Sequence, residues 1–400
     1  MQPEHVRVEA LEPSKVRRPE REVVDTHLRS VHGQRNPEPE PELERERRRA
    51  RPFRSTAELR GVDPRRRAVL KPAAMRNVVV ATHGHCFDGL CSAVMFTRLM
   101  KHLHAGKELS FTYKAMGYGP GQNGVDPAVL TGDDNAILDF RFTATPKLTW
   151  YFDHHVSAFV TPEDRQAYEL GAREEARGGR QMFHDGGYGS CTKLIADIGR
   201  QRFGLDTREA EELVRWADMI DSAAFPSAEM AVVKNEAVLQ LMTVIEHKGN
   251  DAYLQAMVPR LMSEPLEEIA NGADVQEAYK PLEAQQKGFI DLVKQHAEDR
   301  GAVVLVDLSE ATIDVAAKFV TYALWPESAY SVLLSRSASK CKLSIGYNPW
   351  APIARKHNIA AICERHGGGG HPVVGAISLP AGDVERAKKL ARDIAEELSS

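Results

Sequence analysis

Cysteine is scarce: five residues in 400, an odd number, do not frame a disulfide-stapled secreted scaffold. Long apolar runs are missing as well, and none reaches the roughly 18 residues that a membrane-spanning helix needs. There is no basic excess. Fifty-two Lys and Arg against 56 Asp and Glu leave a formal charge of −4, which gives no support to nucleic-acid binding through a broadly basic surface. The opening residues MQPEHVRVEA lack the apolar stretch of a secretory signal. Membrane, secreted and fibrous classes are set aside, and a cytoplasmic, multidomain protein of ordinary globular composition is the expectation.

What is there is unevenly distributed. Residues 1–75 are rich in Arg, Glu and Pro, with runs such as Glu44–Arg51 (ERERRRAR) and Pro64–Arg67 (PRRR). Without a sustained apolar period, this segment does not bury enough surface to offset its ordering entropy and reads as a disordered tail. Folded-looking sequence begins after Met75, which makes that residue an alternative start. Asn77–Thr82 (NVVVAT) is a short, β-branched, buried-strand run, and Asp88–His104 has helical apolar spacing. Strand-like runs recur at Leu109–Tyr113, Ala136–Phe140 and Leu148–Phe152, with helices at about Ser190–Phe203 and Arg208–Met219. Strands alternating with helices predict an α/β fold with a doubly wound parallel sheet over residues 76–227.

Residues 228–300 read as a helical connector, interrupted by prolines between Met257 and Pro265. Beyond it, strands at Ala302–Leu308, Ala329–Ser335, Lys342–Tyr347 and Val373–Leu379 predict a smaller α/β unit over 301–400. Helices at Ile353–Arg365 and Gly382–Leu398 complete it. No internal repeat is evident.

In open α/β sheets, functional residues gather at the carboxyl ends of the strands. Three strand candidates end in metal-ligand residue types: His83-Gly84-His85-Cys86-Phe87-Asp88 after the first, Asp139 after the third, and Asp153-His154-His155 after the fourth. For Asp88 alone, capping of the following helix is the competing explanation. Neutral imidazoles and carboxylates together suit Mn²⁺, Fe²⁺ or Zn²⁺, and bound cations relieve the repulsion of crowded carboxylates. Adjacent strand residues point to opposite faces, so one of His154 and His155 is expected to bind metal while the other faces elsewhere or approaches the substrate.

With these motifs in order, the chain resembles the DHH phosphoesterase superfamily from about Arg76 to Leu398. Asp153-His154-His155 resembles its signature, and HGHCFDGLCSA from His83 resembles its first motif. Asp139 sits at the second-motif aspartate. Tyr188-Gly189-Ser190-Cys191-Thr192 resembles the helix start that precedes the fourth motif, and Asp221-Ser222-Ala223-Ala224-Phe225 resembles that motif. Gly367-Gly368-Gly369-Gly370-His371 resembles the glycine-rich motif of the DHH-associated domain.

The resemblance implies His83, Asp88, Asp139, His154 and Asp221 as ligands of two divalent ions. Asp139 is the bridge, and Asp153 and His155 support the site or contact the scissile phosphate. Asp218, one helical turn before Asp221, is a less favoured alternative ligand. Cys86 stands where many members carry a further aspartate. Either Cys86 or His85 fills that place, or the first ion has fewer protein ligands. Mn²⁺ is the expected ion, and a softer donor favours Fe²⁺ or Zn²⁺.

Four consecutive glycines allow close backbone approach and an anion-binding nest, and His371 supplies a hydrogen-bond donor. Gly367, Gly368, Gly369, Gly370 and His371 are therefore candidate phosphate contacts, with Ser344, Arg336 and Asn348 as further polar candidates. A flexible loop is the plainer account of the glycines. The expected activity is metal-assisted hydrolysis of a phosphoester in a short nucleotide substrate: nanoRNA, a dinucleotide, a cyclic dinucleotide or a bisphosphonucleotide. A RecJ-type single-strand exonuclease and a non-catalytic nucleotide-binding regulator are the alternatives. A second copy of the chain is a candidate partner, through the helical connector.

Overall fold

The computed structural model describes residues 75–118, 124–174, 179–312 and 318–400. Apart from Met75, the Arg/Glu/Pro-rich segment lies outside them. The first half begins β1 (Arg76–His83), α1 (Phe87–Leu103), β2 (Leu109–Met116), β3 (Asp134–Leu138) and β4 (Trp150–Asp153). It continues α2 (Pro162–Glu174), β5 (Gln181–His184), α3 (Cys191–Phe203) and α4 (Glu211–Asp221). The five strands form one parallel sheet in the order β2-β1-β3-β4-β5.

Alternation along β1 explains its unbroken apolar sequence. Val78 and Val80 pack on one face with Leu90, Phe96 and Ile195 of α1 and α3, while Val79 and Ala81 pack on the other with Phe140, Phe142 and Tyr151. A sheet covered on both faces has no polar side to alternate with.

Two elements had no apolar pattern to announce them. α2 is a mostly polar surface helix, entered through a reciprocal cap in which Thr161 Oγ1 accepts from the Asp164 N–H and the Asp164 carboxylate accepts from the Thr161 N–H, each at 3.1 Å. β5 is only four residues long and closes the sheet edge beside β4.

The connecting region is helical: α5 (Ala228–Val233), α6 (Ala237–Lys248), α7 (Asp251–Ser263), α8 (Leu266–Ala270) and α9 (Ala273–His296). Pro259 is accommodated inside α7, so the break falls at Pro265. The second half contains β6 (Ala297–Asp299), β7 (Val303–Thr312), α10 (Lys318–Leu324), β8 (Tyr330–Arg336) and β9 (Lys340–Tyr347). It ends with α11 (Ile359–Arg365), β10 (Gly369–His371), β11 (Val374–Pro380) and α12 (Val384–Leu398). Its sheet runs β10-β11-β9-β8-β7-β6; β7 and β8 are parallel and the other pairs antiparallel.

The helix expected from Ile353 begins only at Ile359, where the Asn358 side chain caps it by accepting from the Ala361 N–H at 3.3 Å. The Asn348 amide is fully buried. It donates to the carbonyls of Pro326 and Ser328 at 3.2 and 3.1 Å and accepts from the Trp350 N–H at 3.1 Å. Trp350 in turn donates from Nε1 to the Phe225 carbonyl at 2.9 Å, tying this half to the segment that follows α4.

Candidate metal centre

The carboxyl edge of the first sheet carries the site. β1 delivers His83, and Gly89 lets the start of α1 settle against it: a Cβ on Gly89 would lie 2.0 Å from the His83 carbonyl oxygen. That approach sets Asp88, in the first turn of α1, over the strand ends. Its carboxylate does not cap its own helix. It accepts from the backbone N–H groups of Cys191 (2.7 Å) and Thr192 (3.1 Å) at the start of α3, so it anchors one helix to another while facing His154.

Asp139 follows β3 with φ +52°, in the left-handed region that disfavours a residue bearing a Cβ. Its N–H donates to the Phe152 carbonyl at 2.9 Å, and the carboxylate is buried. The two oxygens look in different directions. Oδ2 lies 3.7 Å from His83 Nδ1 and 3.8 Å from Cys86 Sγ. Oδ1 lies 3.5 Å from His154 Nε2 and 3.7 Å from His155 Nδ1. His154 Nε2 also lies 3.2 Å from Asp221 Oδ2, at the end of α4, and 3.9 Å from Asp88 Oδ2.

Three donor groupings result: His83 with Cys86 and Asp139; Asp139 with His154 and His155; and Asp88 with His154 and Asp221. Asp139 Oδ1 and His154 Nε2 are buried and, among the described residues, have no hydrogen-bond partner. Buried polar atoms left bare are costly, and a cation supplies what both lack. The residues fit a divalent ion. The other nitrogen of His154, Nδ1, faces the Tyr188 carbonyl at 3.1 Å, the outer contact that leaves Nε2 with its lone pair inward.

Strand alternation does not separate the two histidines. β4 ends at Asp153, so the alternation stops there, and both rings lie on the Asp139 side with centroids 4.4 Å apart. Asp153 stays out of the three groupings. One oxygen accepts from the Tyr151 hydroxyl at 3.1 Å and the other lies 2.7 Å from His155 Nδ1, a chain that fixes the His155 ring.

Metal-free electrostatics reflect the crowding. Burial raises the Asp88 carboxyl well above its ordinary value, and the charges of Asp139 and Asp221 add to it. Burial also pushes the Cys86 thiol up, again reinforced by Asp139 and Asp221. For Asp139 burial acts upward, but the facing imidazoles of His154 and His83 outweigh it and hold the carboxyl below the usual range. Burial opposes charge on His154, yet Asp139 and Asp221 raise it to about 12. Asp153 and Asp139 likewise overcome burial and raise His155 to about 9.

Other expected site residues lie elsewhere. His85 is exposed with φ +54°, its ring Nδ1 at 3.1 Å from the Glu246 carbonyl, and it joins none of the donor groupings. Asp218 pairs with Lys193 at 2.7 Å. Asn348 is taken up by the backbone contacts described above. Gly369–His371 is an edge strand rather than an open loop. Gly370 has φ +154°, and a Cβ there would meet the Val374 oxygen at 2.3 Å; on Gly368 it would meet the Ala376 oxygen at 2.2 Å. Those two glycines serve strand contact, while Gly367 and Gly369 have open space around them and His371 is exposed. Ser344 lies in β9 opposite Ala376, and Arg336 ends β8; both are half-buried.

Tyr118 and Arg141 were not anticipated from the sequence. They stand next to His83 and Asp139 in space, Tyr118 stacking on Phe140 and Arg141 resting on Tyr118, and no spacing rule marks them.

No family model matches the chain, and no curated protein matches it. Among solved structures it is similar to a pGpG-specific phosphodiesterase, PggH, from Vibrio cholerae, with TM-score 0.54 and 19% identity over 80% of this chain and 98% of that one. A DHH domain from a member of a family of ribosomal proteins gives TM-score 0.47 and 12% identity, over 80% and 86%. RecJ from Thermus thermophilus, in complex with Mg²⁺, gives 0.42 and 11%, over 80% and 50%. The chain has the fold of the DHH proteins.

Proposed function

We propose that this chain, with the fold of the DHH phosphoesterases, is a metal-dependent hydrolase of phosphoester bonds in short nucleotide substrates. One observation carries the reading: the two oxygens of the buried Asp139 carboxylate face different donors, Oδ2 toward His83 and Cys86 and Oδ1 toward His154. His83, Cys86 and Asp139 would hold one divalent ion, and Asp139, His154, Asp88 and Asp221 would hold a second. Bound there, divalent ions lower the pKa of a water and offset charge on the phosphate oxygens during in-line displacement.

The protein's own residues do the remainder. Asp139 and Asp221 position the His154 ring, and the Tyr188 carbonyl fixes its tautomer. The Tyr151–Asp153 pair holds His155 by Nδ1, so its other nitrogen is free to donate to a phosphate or leaving-group oxygen. The Gly367 to His371 segment, with Ser344 and Arg336, is the candidate contact for the far end of the substrate. Mn²⁺ suits the His/Asp pair, and the thiol of Cys86 inclines the first position toward Fe²⁺ or Zn²⁺. The similarity to a pGpG phosphodiesterase favours a dinucleotide over a long strand.

The test is a substrate panel of pGpG, a cyclic dinucleotide, a 3′,5′-bisphosphonucleotide and a long single strand, each with Mn²⁺. Turnover confined to short substrates supports the reading. Degradation of the long strand in preference points to the exonuclease. Tight binding without turnover, under Mn²⁺, Fe²⁺ and Zn²⁺ alike, points to the non-catalytic regulator.

A further inference from the structure

We propose that Arg141, resting on the Tyr118 ring, forms a subsite for a second phosphate of the substrate, one that is not cleaved. The proposal rests on the phosphoesterase reading and names what that site selects. Arg141 lies two residues beyond Asp139 on the same sheet edge. Its guanidinium carbon sits 4.9 Å from the centre of the Tyr118 ring. Tyr118 stacks on Phe140 with centroids 4.5 Å apart and meets the His83 ring edge-on at 5.2 Å. The arginine is thus fixed by packing from the strand ends that carry the metal ligands.

What it lacks is an anion. Among the described residues, no carboxylate lies within ion-pair distance of Arg141, although Asp139 is two residues away, and its Nε is buried without a hydrogen-bond partner. Arg98 and Arg300 also leave Nε bare, but each reaches a carboxylate through its outer nitrogens, Glu209 at 3.3 Å and Glu298 at 3.0 Å. Arginine does not shed its charge, so a half-buried guanidinium without a counter-ion is built for one that arrives with a ligand. Its planar fork matches phosphate oxygens two at a time.

The position relative to the metal ligands says which phosphate. The scissile group has to reach the ions that His83, Asp139 and His154 would hold. The Tyr118 ring contacts both His83 and the guanidinium, so Arg141 stands one aromatic ring farther out than the ligands of the first ion. The phosphate it meets is the next one along, as in a dinucleotide with a 5′-terminal phosphate. Such a subsite selects pGpG over GpG.

The experiment measures calorimetric affinities of pGpG and GpG, with Ca²⁺ as the added ion, for the full chain and for Arg141→Gln, Arg141→Ala and Arg141→Lys. The native chain should prefer pGpG by about 10- to 100-fold, the range for a charged hydrogen-bonded contact. The Gln and Ala variants should lose that preference with unchanged melting temperature, and Lys should keep part of it. Equal native affinities, or a fall that is the same for both ligands in every variant, overturns the subsite. Turnover of bis(p-nitrophenyl) phosphate by the native chain with Mn²⁺ is followed in parallel. Its absence beside an intact pGpG preference contradicts the hydrolase reading and supports the subsite.

Discussion

Asp139 Oδ1 and His154 Nε2 lie 3.5 Å apart, both buried and both without a hydrogen-bond partner among the described residues. Without a metal the pair is held by charge alone, with Asp221 Oδ2 also 3.2 Å from His154 Nε2. A cation between them would take the place of the proton on that nitrogen. The left-handed backbone of Asp139 fits the same account, since strain of this kind concentrates where function holds it.

Loss of the shared carboxylate is expected to empty both positions. Asp139→Asn keeps the shape and removes the charge. Metal content after dialysis against Mn²⁺ should fall from two equivalents toward zero, while circular dichroism stays native. Two retained equivalents would mean that Asp139 bridges nothing.

Cys86 should be visible through its sulfur. Substitution with Co²⁺ is expected to give a sulfur-to-metal absorption band in the native chain that is absent from Cys86→Ser. Cys86→Asp should shift preference from Zn²⁺ toward Mn²⁺ by about tenfold or more, following donor hardness. An unchanged spectrum in Cys86→Ser would remove the thiol from the ligand set.

Metal uptake should expel protons. His154 is raised to about 12 by Asp139 and Asp221, and the Asp88 carboxyl and Cys86 thiol are raised chiefly by burial, so at pH 7 the metal-free site carries protons that ligation displaces. The sign follows: affinity rises with pH between about 6 and 9, by up to tenfold per unit for each proton released. Calorimetry in buffers of different ionisation enthalpy reads the proton number directly, and a value of zero would contradict the site.

Asn348→Ala should destabilise the second half. The fully buried amide makes three hydrogen bonds, and its removal leaves the Pro326 and Ser328 carbonyls bare. A loss of about 2–4 kcal/mol is expected, read as a drop in denaturant midpoint at constant slope. A change below about 0.5 kcal/mol, the scale of a surface substitution, would show that the amide holds nothing.

The parallel sheet was legible because burial on both faces writes Val78–Ala81 and Ala136–Leu138 as unbroken apolar runs. The clustering of the candidate ligands was legible because parallel strands put their carboxyl ends on one edge. α2 was invisible, since a surface helix with Gly171 inside it has little apolar period. Strand alternation does not divide His154 from His155, because it holds only while the strand lasts and β4 ends one residue earlier; the Asp153 contact to His155 Nδ1 is what distinguishes the two rings. Asn348 had the composition of a ligand contact but is a turn anchor; only its burial distinguishes the two. Arg141 left no trace because its meaning lies in an absent partner, which a sequence does not display.

The most direct measurement of the central claim is mononucleotide release from pGpG with Mn²⁺, by the native chain, by the native chain with EDTA, and by Asp139→Asn. The account predicts turnover in the first, none in the second, and a fall of about a thousand-fold or more in the third with the fold intact. Full activity in Asp139→Asn, or no hydrolysis by the native chain with Mn²⁺, Fe²⁺ or Zn²⁺, would contradict it.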